Sequence, residues 1–146
     1  MHDALLQTER LTLSTGGNAD MLDVTGEVAG LVARAGLEEG RVFLFVVGST
    51  AAVTTIEFEP GLQRDLPELF DRIAPAGARY HHDDTWHDGN GHSHLRASLL
   101  GPSLTVPVLD GRLLLGTWQQ IVLVDFDARP RRRELIVQLS GRGAEG

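Results

Sequence analysis

The sequence contains no cysteine, which excludes disulfides and thiolate ligands and leaves any bound metal to His, Asp or Glu. It also has no apolar run near the roughly 20 residues that a membrane-spanning helix needs. Residues 1–10 lack the basic segment followed by an apolar segment that marks a signal peptide. These absences predict a cytoplasmic protein with no membrane partner.

Basic residues are few, since 13 Lys and Arg stand against 20 Asp and Glu and give a net charge of −7 at pH 7. This balance argues against nucleic acid as a partner. The 146 residues, 42% of them hydrophobic, predict a single domain over 1–146 with a buried core. Arg129 and Arg131–Arg133 are a local exception. These guanidiniums either hold a phosphate or carboxylate or lie in a solvated turn before the last strand.

Hydrophobic periodicity predicts an α+β domain with two helices and an antiparallel second half. Apolar positions recur at helical spacing over 21–35 and 62–73. We expect Asn18 or Asp20 to cap the first helix and Asp65 to cap the second. The other expected elements are strands at 5–15, 41–47, 52–59, 95–100, 103–108, 113–115, 119–126 and 134–139, a helix end at Gly36, a hairpin turn at Asp110-Gly111 and a disordered tail at 141–146.

Five of the six histidines lie within fourteen residues, in a segment rich in Asp, Asn and Gly. They are His81, His82, His87, His92 and His94. So polar a segment predicts a loop, either a functional one that binds a divalent metal or transfers protons, or a merely solvated one. His82 and His94 flank this loop and are the main candidates. A metal would need a further ligand, from another histidine, from Glu57 or from a neighbouring subunit.

Three other places offer reactive or binding groups. The turn Gly48-Ser49-Thr50 follows a buried strand and offers hydroxyls and backbone N–H groups to an anion, although a plain turn is the simpler interpretation. Glu57 lies in a predicted strand, on the solvent face or, if it points into a pocket, as a ligand or base. Trp118 belongs to a core or an interface, and Gln119 can hydrogen-bond a substrate or a subunit.

Several motifs together carry a family resemblance. They are Tyr80-x-His82, Asn90-x-x-x-His94-Leu95, the run from Ala97 to Ser103, Val106-Pro107-Val108-x-Asp110-Gly111, Leu115-Gly116-Thr117-Trp118-Gln119, and Asp127 followed by Pro130-Arg131 and Arg133. Upstream, Thr50-Ala51-Ala52-Val53-Thr54, Glu57 and Arg64-Asp65-Leu66 match in order and spacing. The chain thereby resembles the YjbQ-like family, small proteins linked to a secondary thiamine-phosphate synthase activity.

The resemblance implies an α+β fold in which a mixed, mostly antiparallel sheet curves toward a barrel, assembled as a homotrimer. It also implies a histidine cluster near subunit boundaries with a divalent metal, for which Zn, Ni and Mg are candidates; no organic cofactor is evident. Together with the turn candidates, the predicted site residues are His82, His94 and Glu57 for catalysis, and Ser49, Thr50, Arg131 and Arg133 for a small phosphorylated metabolite.

One position departs from the family pattern. The family has His-Thr-Thr/Ser-Ala where this chain has Gly48-Ser49-Thr50-Ala51, so Gly48 replaces a third histidine and offers no ligand atom. Either metal binding is lost or another local histidine substitutes. His92, two residues before His94, would share its side of a strand and completes the predicted metal set of His82, His94 and His92.

Two functions follow from these expectations. In the first, the protein is an enzyme that joins a pyrimidine pyrophosphate to a thiazole phosphate, with His82 and His94 holding a metal or transferring protons. In the second, which the missing histidine favours, it is a non-catalytic trimer that binds a metal or a metabolite. A third hypothesis is a structural scaffold in which the loop histidines pair with local aspartates.

Overall fold

The computed structural model describes residues 4–144, which form eight strands and four helices. The strands are β1 (Ala4–Thr15), β2 (Asp20–Asp23), β3 (Leu37–Val47), β4 (Ala51–Ile56), β5 (Ser103–Leu109), β6 (Arg112–Leu113), β7 (Gln120–Asp125) and β8 (Arg131–Gly143). The helices are α1 (Thr25–Ala35), α2 (Pro60–Ile73), α3 (His81–Trp86) and α4 (Gly91–Leu100).

The strands form two sheets, and every pairing within residues 4–144 is antiparallel. The larger sheet has the order β1-β8-β3-β5-β6, and the smaller has the order β2-β7-β4. The larger sheet curls into a half-barrel around α1, which packs on its inner face. The predicted α+β class with a curving antiparallel sheet is therefore confirmed. The helices number four in the described residues rather than the two that periodicity indicates.

Alternate residues of β7 face two hydrophobic cores, because successive side chains of a strand point to opposite faces. Ile121 and Leu123 point into the larger core, between α1 and the five-stranded sheet. Val122 points into the smaller core, where Phe70 of α2 meets Phe126 edge-on with ring centroids 4.8 Å apart. Packing on both faces fixes the end of β7 at Asp125.

The predictions for two turns are confirmed. Gly36 ends α1 in the left-handed conformation with φ 66°, which glycine adopts without steric cost. Asp110 and Gly111 both have positive φ, 53° and 73°, and connect β5 to β6 as a two-residue hairpin turn.

Both helix-cap predictions are wrong. Neither Asn18 nor Asp20 caps a helix, because residues 20–23 form β2 and pair with β7. Asp65 lies inside α2, whose cap is Glu59. The Glu59 carboxylate accepts two backbone N–H groups of the first turn, at 2.5 and 2.8 Å, and Pro60 follows at the first helical position.

Two further predictions near the site and the C-terminus are wrong. Most of the histidine-rich segment is helical rather than a loop, with only residues 87–90 between α3 and α4, and residues 95–100 complete α4 instead of forming a strand. The prediction of a disordered tail is wrong for residues 141–143, because they pair with β1 and β3 as part of β8. The last two residues of that tail, 145–146, lie outside the described residues.

Candidate functional site

Helices α3 and α4 form a hairpin that brings His82 and His94 together. The chain reverses direction between the helices through left-handed backbone at His87, with φ 58°, and Gly89, with φ 68°. The ring centroids of His82 and His94 lie 4.3 Å apart, with their planes inclined by 52°. These two residues, called the histidine pair below, are therefore in direct contact.

An amide and a carboxylate flank the histidine pair on the His82 side. His82 Nε2 lies 3.3 Å from Asp88 Oδ1. The side-chain nitrogen of Asn90 donates to His82 Nε2 at 3.1 Å and to Asp88 Oδ1 at 2.9 Å. We assign this orientation because the opposite one sets the amide oxygen against the carboxylate. The His82 side chain is 30% exposed, so solutes can reach it.

His82, Asp83 and Asp88 form a small group of possible metal ligands. Each offers one ligand atom, and these atoms all lie within 4.8 Å of one another. One imidazole and two carboxylates are donors that a divalent cation such as zinc accepts. Asp83 Oδ1 also accepts the backbone N–H of Gly91 at 3.0 Å, which ties α3 to the start of α4. The donors present, with His94 beside them, fit a divalent cation.

A buried ion pair between Asp125 and Arg133 lies at the end of β7. Arg133 Nε donates to Asp125 Oδ2 at 2.7 Å, and Nη2 donates to Oδ1 at 2.9 Å, which is the bidentate arrangement of a strong charge-assisted pair. The Thr15 hydroxyl donates to the same carboxylate. Burial by itself would raise the pKa of Asp125, but the hydrogen bonds from Arg133 and Thr15 outweigh it and lower that pKa below its ordinary value.

Asp127 is a second buried carboxylate, and Thr50 joins it to the first. The Thr50 hydroxyl accepts from Arg133 Nη2 at 2.5 Å and donates to Asp127 Oδ2 at 3.0 Å. Arg131 Nε donates to the same oxygen at 2.9 Å. Burial would raise the pKa of Asp127, but the Ala128 backbone N–H, the Thr50 hydroxyl and Arg131 together lower it. These two aspartates, Thr50, Arg131 and Arg133 are called the acid–arginine cluster below.

A polar cleft of about 340 Å³ lies between the histidine pair and the acid–arginine cluster. Asp88 and Asn90, which contact the histidine pair, line one side. Asp127, Arg129 and Arg131 line the other side. The cleft therefore presents an amide and a carboxylate opposite guanidinium groups, with the histidine pair next to it, and its exposed Arg129 can meet a small anionic molecule.

A family model described as UPF0047 protein YjbQ-like matches residues 9–142. The chain belongs to the YjbQ-like UPF0047 family. A UPF0047 protein of Archaeoglobus fulgidus is 39% identical to this YjbQ-like chain over 128 residues, covering 88% of this chain and 97% of the relative. A UPF0047 protein of Methanothermobacter thermautotrophicus is 37% identical over 135 residues, covering 92% of each.

Solved structures share the fold of this YjbQ-like chain. A YbjQ-like protein of unknown function from Sulfolobus solfataricus superimposes with a TM-score of 0.89 at 31% identity, covering 95% of this chain and 99% of that one. An uncharacterised YjbQ/UPF0047 protein from Clostridium acetobutylicum gives 0.81 at 31% identity, covering 90% and 99%. The fold of the family is thus established, and the names of these relatives state no reaction.

None of the helices within residues 4–144 is long and apolar enough to span a membrane.

Gly48 of the YjbQ-like chain, where the family pattern has a histidine, lies against the acid–arginine cluster. Its φ of 138° is one that residues with a side chain rarely adopt, and a Cβ there would lie 2.6 Å from Arg133 Nη1. The space that a side chain at this position would enter is therefore occupied by the guanidinium. Of the neighbouring candidates, Ser49 is exposed, whereas Thr50 is buried within the cluster.

His92 does not join the histidine pair, because the segment is a helix. Residues two apart on a helix point about 200° apart, so the strand-based prediction that His92 and His94 share a side is wrong. His92 is 5% exposed, and among the described residues its Nδ1 has no hydrogen-bond partner. Burial and the Arg96 guanidinium lower the pKa of His92, and burial and the neighbouring His82 lower that of His94.

Glu57 and Trp118–Gln119 lie at the other end of the β4–β7 pairing from the cleft. Strand β4 begins at Ala51, opposite Asp125, and ends one residue before Glu57. Six strand residues span roughly 20 Å at about 3.3 Å per residue, so one chain does not bring Glu57 to the histidine pair. Glu57 is exposed, Trp118 is 70% exposed, and the Gln119 side chain bonds within its own turn and to β4.

Sequence reasoning missed several residues that line or support the site. Asp83, Asp88 and Asn90 looked like solvated neighbours of the histidines, and their spacing matches no metal motif. Asp125 gave a usable signal, since it ends the apolar run Val122–Val124, and a carboxylate inside such a strand needs a cationic partner. The arginine-rich segment just downstream supplies that partner.

Proposed function

We propose that the protein is a small-molecule enzyme of the secondary thiamine-phosphate synthase type, acting on a phosphorylated substrate in the polar cleft. The observation that supports this most is the contact between His82 and His94. The pair lies next to a cleft that Asp88 and Asn90, which contact His82, line on one side and Arg129 and Arg131 line on the other. The reaction would join a pyrimidine pyrophosphate to a thiazole phosphate and release pyrophosphate.

The residues in and beside the cleft would have different roles, which follow from their positions. His94, whose pKa is lowered by burial and by His82, is neutral near pH 7 and can accept a proton from the substrate. Asn90 orients His82 through its side-chain nitrogen. His82, Asp83 and Asp88 would hold a divalent cation, which when bound neutralises charge on phosphate oxygens.

The arginines of the cleft would hold phosphate to different degrees. Arg129 lines the cleft and is exposed, so its guanidinium is available to an anion. Arg131 lines the same side but already pairs with Asp127 through Nε and Nη2. Arg133 donates to Asp125 and Thr50 from a buried position, so we assign it to holding the cluster in place instead of to the phosphate.

The second candidate is a non-catalytic trimer that binds a metal or a metabolite. Gly48 favours it, because the position of the family's third histidine has no ligand atom and faces the Arg133 guanidinium. Metal analysis of protein purified without a histidine tag separates the candidates. Stoichiometric metal without turnover supports binding alone, and turnover supports the enzyme.

A homotrimer remains our proposal for the assembly, with the cytoplasm as its location. The outer face of the five-stranded sheet supports an interface there, since Phe45 is 39% and Val47 is 48% exposed on β3, beside half-buried Phe43 and Ile136. Sedimentation equilibrium should give three times the chain mass of 15.8 kDa. A mass of one or two chains would contradict the trimer.

The direct test of the enzyme is thiamine phosphate formation by the pure protein. His82→Ala and His94→Ala should each lower kcat by about 10²- to 10⁴-fold, because each removes an imidazole from the reacting centre. His87→Asn is the matched control, since His87 is exposed, lines neither side of the cleft and has a left-handed backbone that asparagine tolerates. Equal activity in all four proteins would contradict the assignment.

A further inference from the structure

We infer that a recess on the far side of the histidine pair binds a flat, uncharged aromatic ring of the substrate. This ring recess has a volume of about 460 Å³ and is lined by Arg79, Tyr80, His81, His82, Gly91, His94 and Leu95. The volume lies within the range of about 300–1,000 Å³ that is typical of small-molecule sites. The inference rests on the proposed function in that it assigns the ring of the same phosphorylated substrate.

The Tyr80 wall of the ring recess is fixed in place. The Tyr80 hydroxyl donates to the Pro75 carbonyl at 2.7 Å, which anchors the end of the ring. A Cβ on Gly91 would lie 2.5 Å from the Tyr80 Cβ, so this close packing on α4 requires glycine. The structure therefore holds the aromatic face ready before any ligand binds, which lowers the entropic cost of binding.

The histidine pair also lines the ring recess, and it lies next to the polar cleft. His82 lines the ring recess, while its Nε2 contacts Asn90 and Asp88, which line the cleft. A molecule with a ring and a phosphate on adjacent atoms can therefore place one group on each side of His82. The imidazoles would then lie at the junction between the two groups.

The lining favours a flat ring over a flexible chain or a charged group. Tyr80, His81, His82 and His94 offer aromatic faces, which stack with planar π systems, and Leu95 adds an aliphatic surface. Leu95 is 49% exposed and belongs to neither hydrophobic core, so core packing does not account for an apolar side chain at this position. The one cation, Arg79, is at the rim and pairs with Asp84 at 2.9 Å.

The test compares the affinities of phenyl phosphate and methyl phosphate by calorimetry in wild type, Leu95→Trp and Leu99→Trp. Leu95→Trp fills the ring recess without disturbing either core. Leu99→Trp is the matched control, because Leu99 lies one turn further on the same helix face, is 67% exposed and does not line the recess. Wild type and Leu99→Trp should bind phenyl phosphate about tenfold more tightly than methyl phosphate. Leu95→Trp should lose that advantage and keep its affinity for methyl phosphate.

One further probe separates the ring recess from the proposed function. Benzyl alcohol, which has a ring and no phosphate, should shift the Leu95 methyl NMR signals even if methyl phosphate does not bind. Such a result supports the ring recess and contradicts the phosphate site. Absence of the shift, a phenyl advantage that survives Leu95→Trp, or equal binding of hexyl phosphate and phenyl phosphate would overturn the inference.

Discussion

The histidine pair and the acid–arginine cluster lie on either side of the same cleft, but their polar groups have hydrogen-bond partners to different degrees. Asp125 is fully buried and Arg133 is 7% exposed, and each finds its partners within the protein. On the other side, His82 is 30% and Asp88 is 47% exposed, and their contacts leave ligand positions open. The difference suggests that the cluster supplies rigidity, whereas the histidine pair supplies the groups that meet a ligand.

The two sides also differ in how the chain builds them. The acid–arginine cluster joins the ends of β7 and β8, which are fixed by sheet pairing, to the turn before β4, where the Thr50 carbonyl accepts the Phe126 N–H at 2.9 Å. The histidine pair lies on two short helices, and α3 has only six residues and no buried side chain. Few buried contacts mean a low local free energy of opening, so ligands can reorganise the histidine side more readily than the cluster side.

Breaking the buried ion pair should have the largest effect on stability. Asp125→Asn leaves the buried Arg133 guanidinium with only the Asp127 carboxylate, 3.9 Å from its Nη2, and should lower the free energy of unfolding by about 3 kcal/mol, the low end of the cost of breaking a buried pair. Urea denaturation measures the loss. Arg10→Gln is the control, because the Arg10–Glu134 pair is exposed and should be worth no more than about 1 kcal/mol. Similar small losses in both variants would contradict the structural role of the cluster.

The same ion pair predicts the acid limit of stability. The folded pKa values of Asp125 and Asp127 lie below their ordinary values, so the unfolded chain binds protons first as pH falls. Their stabilisation is complete above the unfolded pKa of about 4 and is lost as pH falls from there through the folded pKa values. Denaturation at a series of pH values should show this slope, and it should be reduced in Asp125→Asn. An unchanged slope in that variant would assign acid unfolding to other groups.

Restoring the family's histidine at position 48 should destabilise the protein without creating a metal site. Gly48→His forces a side chain into a backbone with φ 138° and toward Arg133 Nη1, at a cost of about 1–3 kcal/mol. Gly26→His is the matched control, because Gly26 lies on the exposed side of α1 with nothing within 4 Å of a Cβ. Thermal unfolding compares them. A stable Gly48→His protein with tighter zinc binding would show that the cluster yields easily, contrary to its proposed rigidity.

The smallest predicted effect concerns the cleft's exposed cation. Arg129→Gln should weaken methyl phosphate binding by roughly three- to tenfold, because one guanidinium contact near solvent is lost. Stability should stay nearly unchanged. Arg112→Gln on β6 is the control, since Arg112 is exposed and lies outside the cleft. If both variants weaken binding equally, net charge instead of a cleft contact holds the phosphate.

The sheets could be predicted from the sequence better than the site helices. Alternation and turn residues such as Asp110-Gly111 report strands directly, since each depends on local spacing. Helix α4 was not predicted because its buried side is polar, with His92 and Arg96 inside, while Leu95 and Leu99 face outward. Hydrophobic periodicity reads such a helix as a loop followed by a strand.

The contacts within the site depend on tertiary structure, which no local pattern specifies. The family resemblance selected His82 and His94, and their contact agrees with that choice. It could not reveal that Arg133 pairs with Asp125. The two residues lie on β8 and β7, which belong to different sheets, so only the packing of the folded chain brings them together. The position of Glu57 likewise follows from the register of β4 on β7.

The most direct test of the division between the two sides is a Zn²⁺ titration of tag-free protein, followed by the ring ¹⁵N NMR signals of the histidines. We expect the signals of His82 and His94 to shift together and saturate near one equivalent, while those of buried His92 stay unchanged. Shifts confined to His81 and His87, or no saturable change at His82 and His94, would contradict the claim that this pair is the ligand-binding side of the site.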